Sequence, residues 1–312
     1  MKQFIAFIAA CSLFISMLAI ANPASPSSPI KVTVLGSANV AISPDQFGPS
    51  ILVQAGGQTF LFDAGRGVPI RIKQAGVAFA DVDKVFLTHL HSDHVVGLPD
   101  LWMMGWMAGR QEVPLNIWGP KGTNNMVSHL QQAFSYDTHI RQVDMHLDPR
   151  GAMMKANEVE EGIIFEKSGV VVRAIRVDHG KVKEAFGYRL DYQGYSVALS
   201  GDTRKNDNLA NKAKGVDVMF HAVMAPRFYG ADKHPIIYDK VRVRHTIPKE
   251  AGQIFAAIDP RLAVIYHRND EPAAEVELLR DTRAQFRGDL RLAEDLMVIE
   301  IGKELKIKGG LR

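Results

Sequence analysis

Cysteine is nearly absent from this 312-residue chain, where Cys11 stands alone. A single thiol cannot close an internal disulfide or make a paired-thiolate clamp, and because Cys11 falls in a leader expected to be cleaved, any bound metal must be held by nitrogen and oxygen donors. A surplus of one charge is missing too. Lysine and arginine number 37 against 34 acidic residues, and a net charge of +3 makes neither a polyanion nor a membrane surface the default partner. There is no short-period repeat, and low complexity is confined to Pro23–Pro29. With 46% hydrophobic and 23% charged residues the composition is globular, which excludes a disordered tail, a collagen-like array and a polytopic membrane protein.

Residues 1–21 carry Lys2, an apolar run from Phe4 to Ile20, and Ala19-Ile20-Ala21 ahead of Asn22-Pro23. This pattern reads as a secretory signal peptide with a linker at 22–29, and it places the protein in the periplasm or outside the cell. An uncleaved anchor is the alternative, because the run is nearly long enough to span a bilayer. Ile8-Ala9-Ala10-Cys11 resembles a lipoprotein cleavage box, but cutting there would leave too short an apolar segment before it. Cleavage after Ala21 leaves 291 residues without cysteine and, with Lys2 gone, a net charge of +2. No stable membrane association is then expected.

Residues 30–312 read as one mixed domain. Ile30–Leu35, Ser50–Gln54 and Gln58–Phe62 are strand-like, the last two joined by Ala55-Gly56-Gly57 as a hairpin. Val68–Gln74 reads as a helix, Lys84–Leu87 as a buried strand and Leu115–Trp118 as another, followed by a helix over about 124–134. The pattern then weakens until Gly169. Strands follow at Val170–Val177, Phe186–Tyr192, Ser196–Leu199, Asp217–His221 and Leu262–Tyr266, with helices near 206–214, 248–258 and 272–286. Two successive strand-then-helix halves suggest an α/β fold of two mixed sheets packed face to face with helices outside.

Chemistry concentrates in Thr88-His89-Leu90-His91-Ser92-Asp93-His94, just past a strand. If that segment stays extended, His89, His91 and Asp93 project to one side and His94 points elsewhere. Imidazole and carboxylate suit zinc, and also iron or manganese. His179, Asp202 and His267 each end a later strand; any one alone would more often be an ordinary buried or surface residue.

The run and its three downstream partners, in this order, resemble the metallo-β-lactamase superfamily over nearly the whole chain after the leader. The resemblance implies an αββα sandwich and two divalent metal ions, Zn2+ first, with Fe or Mn as alternatives. One ion would be held by His89, His91 and His179, the other by Asp93, His94 and His267, with Asp202 bridging. Asp63 matches a position that buttresses the ligand loop. Two divalent ions with Asp93, Asp202 and a bridging hydroxide leave about +1 for an anionic substrate, and the hydroxide makes a side-chain nucleophile unnecessary. Asp93 is thereby both ligand and catalytic.

Asp45-Gln46-Phe47-Gly48-Pro49-Ser50, Asp63-Ala64-Gly65-Arg66-Gly67, the stretch from His94 to Trp102 and Trp118-Gly119-Pro120-Lys121-Gly122 are similar to the branch shared by ribonuclease Z and periplasmic zinc-dependent arylsulfatases. Transfer-RNA-processing members carry a long arm between the positions of His179 and Asp202. Here only 23 residues separate them, enough for one hairpin, so no nucleic-acid partner is expected. His245 matches those enzymes' proton donor, but the glutamate that accompanies it is replaced by Ala222. The resemblance therefore implies a secreted hydrolase of a small anionic aryl sulfate or related sulfate or phosphate ester. The alternatives are a phosphodiesterase of ribonuclease Z type without the arm, a lactonase, and a metal-binding module that has lost catalysis; a homo-oligomer is left open. Trp102 and Trp106 form an apolar stripe that is either core or an aryl-binding wall, and Phe228-Tyr229 could face it. Lys240, Arg242 and Arg244 read as one side of an extended edge.

Overall fold

The structure is a computed structural model describing residues 28–226, 235–268 and 271–311. The leader, the Ala19–Ala21 cleavage site, most of the linker and the Phe228-Tyr229 excursion lie outside the described residues.

The chain opens as a meander: β1 (Ile30–Gly36), β2 (Ser50–Ala55) and β3 (Gln58–Phe62) pair antiparallel. Gly56 and Gly57 have φ of 58° and 70°, the left-handed pair that a tight hairpin requires and that costs glycine least. Then α1 (Val68–Gln74), β4 (Lys84–Phe86), α2 (Ser92–Val95), α3 (Leu98–Met107), β5 (Leu115–Gly119), α4 (Thr123–Ala133), α5 (Ser135–Asp144) and β6 (Met154–Glu158) extend the first sheet by parallel pairing. The second half supplies β7 (Gly162–Lys167), β8 (Val170–His179), β9 (Val182–Tyr192), β10 (Tyr195–Leu199), α6 (Asp207–Lys212), β11 (Val218–Ala222), α7 (Pro235–Arg242), α8 (Pro248–Ile258), β12 (Leu262–Tyr266), α9 (Pro272–Arg283) and β13 (Leu290–Leu292). β14 (Val298–Ile301) and β15 (Leu305–Lys308) return to the first sheet beside β1.

Among the described residues the two sheets run β15-β14-β1-β2-β3-β4-β5-β6 and β13-β12-β11-β10-β9-β8-β7. Their inner faces meet through Val32, Phe60, Phe62, Phe86, Tyr188, Leu190 and Phe220. The first sheet's outer face is covered by α1, α3 and α4 and the second's by α6, α8 and α9, each over its own apolar cluster. Every sheet is thus buried on both faces, which explains why the central strands are continuous apolar runs. This is the expected αββα sandwich.

Some local readings change. The stretch between 134 and 169 holds α5, β6 and β7, whose half-exposed residues give weak periodicity. Lys240 and Arg242 lie on α7, not on an extended edge, so their alternation carries no face. Trp102 and Trp106 are 1% and 0% exposed, and their indole N–H groups donate to the carbonyls of Ala152 and Asp148. They are core.

Candidate metal centre

The sheets deliver the site from one end. Asp63 follows β3, His89 follows β4, His179 ends β8, Asp202 follows β10 and His267 follows β12. His91 is the N-cap of α2, so Asp93 and His94 arrive on the first turn of a helix. Strand alternation, expected to place His89, His91 and Asp93, therefore stops at His91; the helical turn swings His94 back into the same cluster.

Three groups of donor atoms form among the described residues, of which the third, Asp202, His245 and His267, shares two members with the others. His89, His91, His179 and Asp202 make the first, and Asp93, His94 and His267 the second; within each, one donor atom per residue lies within 4.8 Å of the rest. Nε2 of His179 is 3.3 Å from Nδ1 of His91, and Nε2 of His267 is 3.2 Å from Asp93 Oδ2. Asp202 Oδ2 faces the first and second groups, 3.9 Å from Nε2 of His89 and of His179, 3.5 Å from that of His94 and 3.4 Å from that of His267. Donors sharing one tetrahedral ion sit roughly 3.3 Å apart, given bonds of about 2.0–2.1 Å.

The rings are held from behind. Asp63 accepts from the backbone N–H and hydroxyl of Thr88 at 2.8 and 2.9 Å, and its Oδ2 lies 2.8 Å from Nδ1 of His94. Nδ1 of His89 lies 3.0 Å from the Thr88 hydroxyl. Nδ1 of His179 lies 2.9 Å from the Arg244 carbonyl and can only donate there, which leaves its Nε2 lone pair facing inward. Thr88 and the Arg244 carbonyl escaped the sequence reading; only Thr88 had a signal, its place directly before the first histidine.

A metal fits these residues on an observation of the chain itself: Nε2 of His89, Nε2 of His94 and Oδ1 of Asp202 are buried without a hydrogen-bond partner. Buried polar atoms seldom go unpaired, and three in one cluster mark it as built for a ligand. Electrostatics agree. Burial opposes charge on Asp93, yet the hydrogen bond from His267 and the charge of His94 hold its pKa at about 2. Burial likewise opposes charge on Asp202, but His267 and His94 pull it well below the carboxylate range. Burial pushes His89 well down, and His91 and His179 down as well. Anionic carboxylates and neutral imidazoles are the ligating forms, and His94 is the exception: against the effect of burial, Asp63 and Asp202 push it well up, so it must give up a proton to ligate.

Close backbone packing supports the ligand loop. A side chain on Gly48 would meet Arg66 N at 2.5 Å and the Asp93 carbonyl at 3.1 Å; on Gly65 it would meet that carbonyl at 2.7 Å. This is why Phe47-Gly48-Pro49 and Ala64-Gly65-Arg66 carry glycine.

The cluster opens into a cavity of about 300 Å³ lined by Val40, Ser92, Val241, Arg244 and His245 together with His91, Asp93, Asp202 and His267. His245 Nδ1 is 3.9 Å from Asp202 Oδ2, too far for a hydrogen bond. No side-chain hydrogen bond to its ring is found among the described residues, consistent with Ala222 in place of a glutamate. Burial pushes its pKa down to about 4.

A family model described as anti-Pycsar protein Apyc1 matches residues 30–234. A ribonuclease Z of Mycobacterium bovis (strain BCG / Pasteur 1173P2) is 37% identical over 279 residues, covering 87% of this chain and 98% of its own. Among solved structures, the short form of human tRNase Z superposes with a TM-score of 0.67 at 20% identity, covering 87% of this chain and 99% of that one. The metallo-β-lactamase-fold protein YhfI of Bacillus subtilis gives 0.68 at 18%, covering 86% and 98%.

These findings correct one expectation. The chain was expected to have no nucleic-acid partner, yet a ribonuclease matches it along nearly the whole length of both. With 98% of that relative inside a 279-residue match, little of it is left over to form a long extra arm. The 23-residue interval between His179 and Asp202 therefore does not set this chain apart from a ribonuclease.

Proposed function

The chain belongs to the metallo-β-lactamase-fold family that takes in ribonuclease Z and Apyc1, and on that premise we propose that it is a metal-dependent phosphodiesterase acting on ribonucleotide phosphodiesters. One observation carries the reading: seven side chains able to ligate a metal gather at one cavity, four of them lining it, in a chain 37% identical to a ribonuclease Z along nearly its whole length. The 37% identical relative is a ribonuclease Z and none of the relatives reported above is named a sulfatase, so the phosphodiester takes precedence over the aryl sulfate.

His89, His91 and His179 would hold one divalent ion, Asp93, His94 and His267 a second, with Asp202 facing both. Ions so placed supply Lewis acidity toward phosphoryl oxygens and a nucleophile at neutral pH. The chain's own groups do the rest. Asp63, Thr88 and the Arg244 carbonyl fix ring tautomers before substrate arrives. Val40 and Val241 wall the cavity and displace water, and Arg244 adds a positive charge for an anionic ester. His245 lines the cavity beside His179 and His267 and would donate a proton to the leaving oxygen. Burial pushes its pKa down to about 4, so the ring takes up from solvent the proton it donates as an arriving phosphodiester anion raises its proton affinity. A cavity of about 300 Å³ is at the small end of ligand pockets and admits one nucleotide-sized group, such as a strand end or a small diester.

The test is hydrolysis by zinc-loaded protein of a precursor transfer RNA, a cyclic nucleotide, bis(p-nitrophenyl) phosphate and p-nitrophenyl sulfate in parallel. Turnover of at least one phosphodiester at kcat/KM well above the sulfate is expected. Turnover confined to the sulfate would overturn the reading.

A further inference from the structure

Arg71 and Asp295 take no part in the chemistry above, yet they form an ion pair of 3.0 Å at 5% and 1% side-chain exposure. The Asp295 carboxylate collects four donors. Oδ1 accepts from the backbone N–H and hydroxyl of Ser37 at 2.9 and 2.8 Å, and Oδ2 accepts from Phe47 N–H at 2.8 Å and Arg71 Nε at 3.0 Å. Arg71 also donates to the Asp45 carbonyl at 2.6 Å and lies 4.2 Å over the Phe47 ring. Both ends of the 37–47 loop are thus tied to one carboxylate. A buried ion pair is weak evidence of stabilisation for its own sake, because apolar residues of like size often serve as well. What this one holds in place is therefore the question.

The loop's first residues grip the residue after His267. Arg268 N–H donates to the Ser37 carbonyl at 3.0 Å, and Asn39 N–H donates to the Arg268 carbonyl at 3.1 Å. His267 itself sits at φ 57°, a left-handed conformation that a non-glycine residue keeps only where its surroundings over-determine it. Its Nε2 is thereby set 3.2 Å from Asp93 and 3.4 Å from Asp202. We propose that Asp295 is a positioning residue: through Ser37 and the Arg268 peptide it holds the strained His267 on Asp93 and Asp202, and so sets the affinity of the His267 half of the cluster for a divalent cation. The inference rests on the cluster being a metal centre.

The experiment titrates the purified full chain with Zn2+ against a chromophoric chelator, alongside thermal melts, for wild type, Asp295→Asn, Ser37→Ala and Val53→Ala. Val53 is a buried sandwich residue on β2, away from the loop, and serves as a destabilised control. The expected result is two ions in wild type, about 10- to 100-fold weaker binding of one ion in Asp295→Asn with the other nearly unchanged, and both affinities kept in Val53→Ala despite a lower Tm. If Asp295→Asn does not fold, Ser37→Ala carries the test with a smaller loss at one ion. Unchanged affinities in the loop variants, equal weakening of both ions, or the same loss in Val53→Ala would overturn the positioning role. A wild type that binds no zinc would overturn the metal-centre reading first, and is told apart by the wild-type titration alone.

Discussion

The ring of His179 donates to the carbonyl of Arg244 at 2.9 Å, so a proposed ligand at the end of β8 and the segment carrying His245 are fixed to one another across 65 residues of sequence. Moving either disturbs the other. The place of His245, the proposed proton donor, is set through the outer nitrogen of His179, and no side-chain partner for its ring is found among the described residues.

Asp202 faces both halves of the cluster, and Asp202→Asn removes the charge they share. Metal content by elemental analysis and phosphodiester hydrolysis should fall together. A variant retaining two ions per chain with full activity would reject the bridging position.

Asp63 holds Thr88 and His94 at once, so Asp63→Ala frees the His94 ring and leaves two buried donors of Thr88 unpaired. Zinc affinity should drop about 10- to 100-fold, and urea unfolding should show a loss of roughly 1–3 kcal/mol for each unpaired group. Unchanged zinc binding in a folded Asp63→Ala protein would count against the buttress.

If His245 protonates the leaving oxygen, His245→Ala spares metal binding and loses about 10²–10⁴-fold in kcat/KM on diesters with poor leaving groups. The loss should shrink for nitrophenolate, which leaves nearly unaided. Parallel dependence of wild type and variant on leaving-group pKa would assign His245 to substrate positioning instead.

Trp106 is fully buried against the first sheet, and its N–H is satisfied by the Asp148 carbonyl. Trp106→Ala should cost about 3–5 kcal/mol in urea unfolding through the cavity it leaves. KM of whatever remains folded should not change; a selective rise in KM for aryl substrates would restore the stripe as a binding wall.

His221 is fully buried on β11, and burial pushes its pKa down to about 4 despite the hydrogen bond to the Ala222 carbonyl. Its folded pKa lies below the unfolded value near 6.5, so the unfolded chain takes up the proton first as pH falls. The stability it contributes is whole above about pH 6.5 and is lost toward pH 4, by about 3 kcal/mol at most. Urea unfolding of metal-free wild type and His221→Leu from pH 7 to pH 4 should show the shallower decline in the variant. Equal slopes would remove His221 from the acid response.

The sequence alone was enough for the class of fold and for picking out the seven donor residues that the structure gathers, because both rest on chemistry that is local and dense. Four donors in six residues, and three later donors each closing an apolar strand run, remain recognisable whatever the loops do. The hairpin at Gly56-Gly57 was equally local, since the left-handed turn has few other residues to choose from. Composition could not reach the partner: net charge and a short interval argued against nucleic acid, and similarity along the whole chain overturned that argument. Tertiary structure decided what depends on distant segments meeting. Trp102 and Trp106 are core because residues 148–152 fold over them to accept their N–H groups, and helical spacing alone does not show which face will be covered. His94 joins the cluster because the chain turns helical at Ser92, which the extended reading of His89-Leu90-His91 did not contain. Asp295 stands 224 residues from Arg71 and 258 from Ser37, and nothing near it in sequence marks it. Its place behind His267 exists only once β14 has returned beside β1 and brought that carboxylate under the loop that grips Arg268.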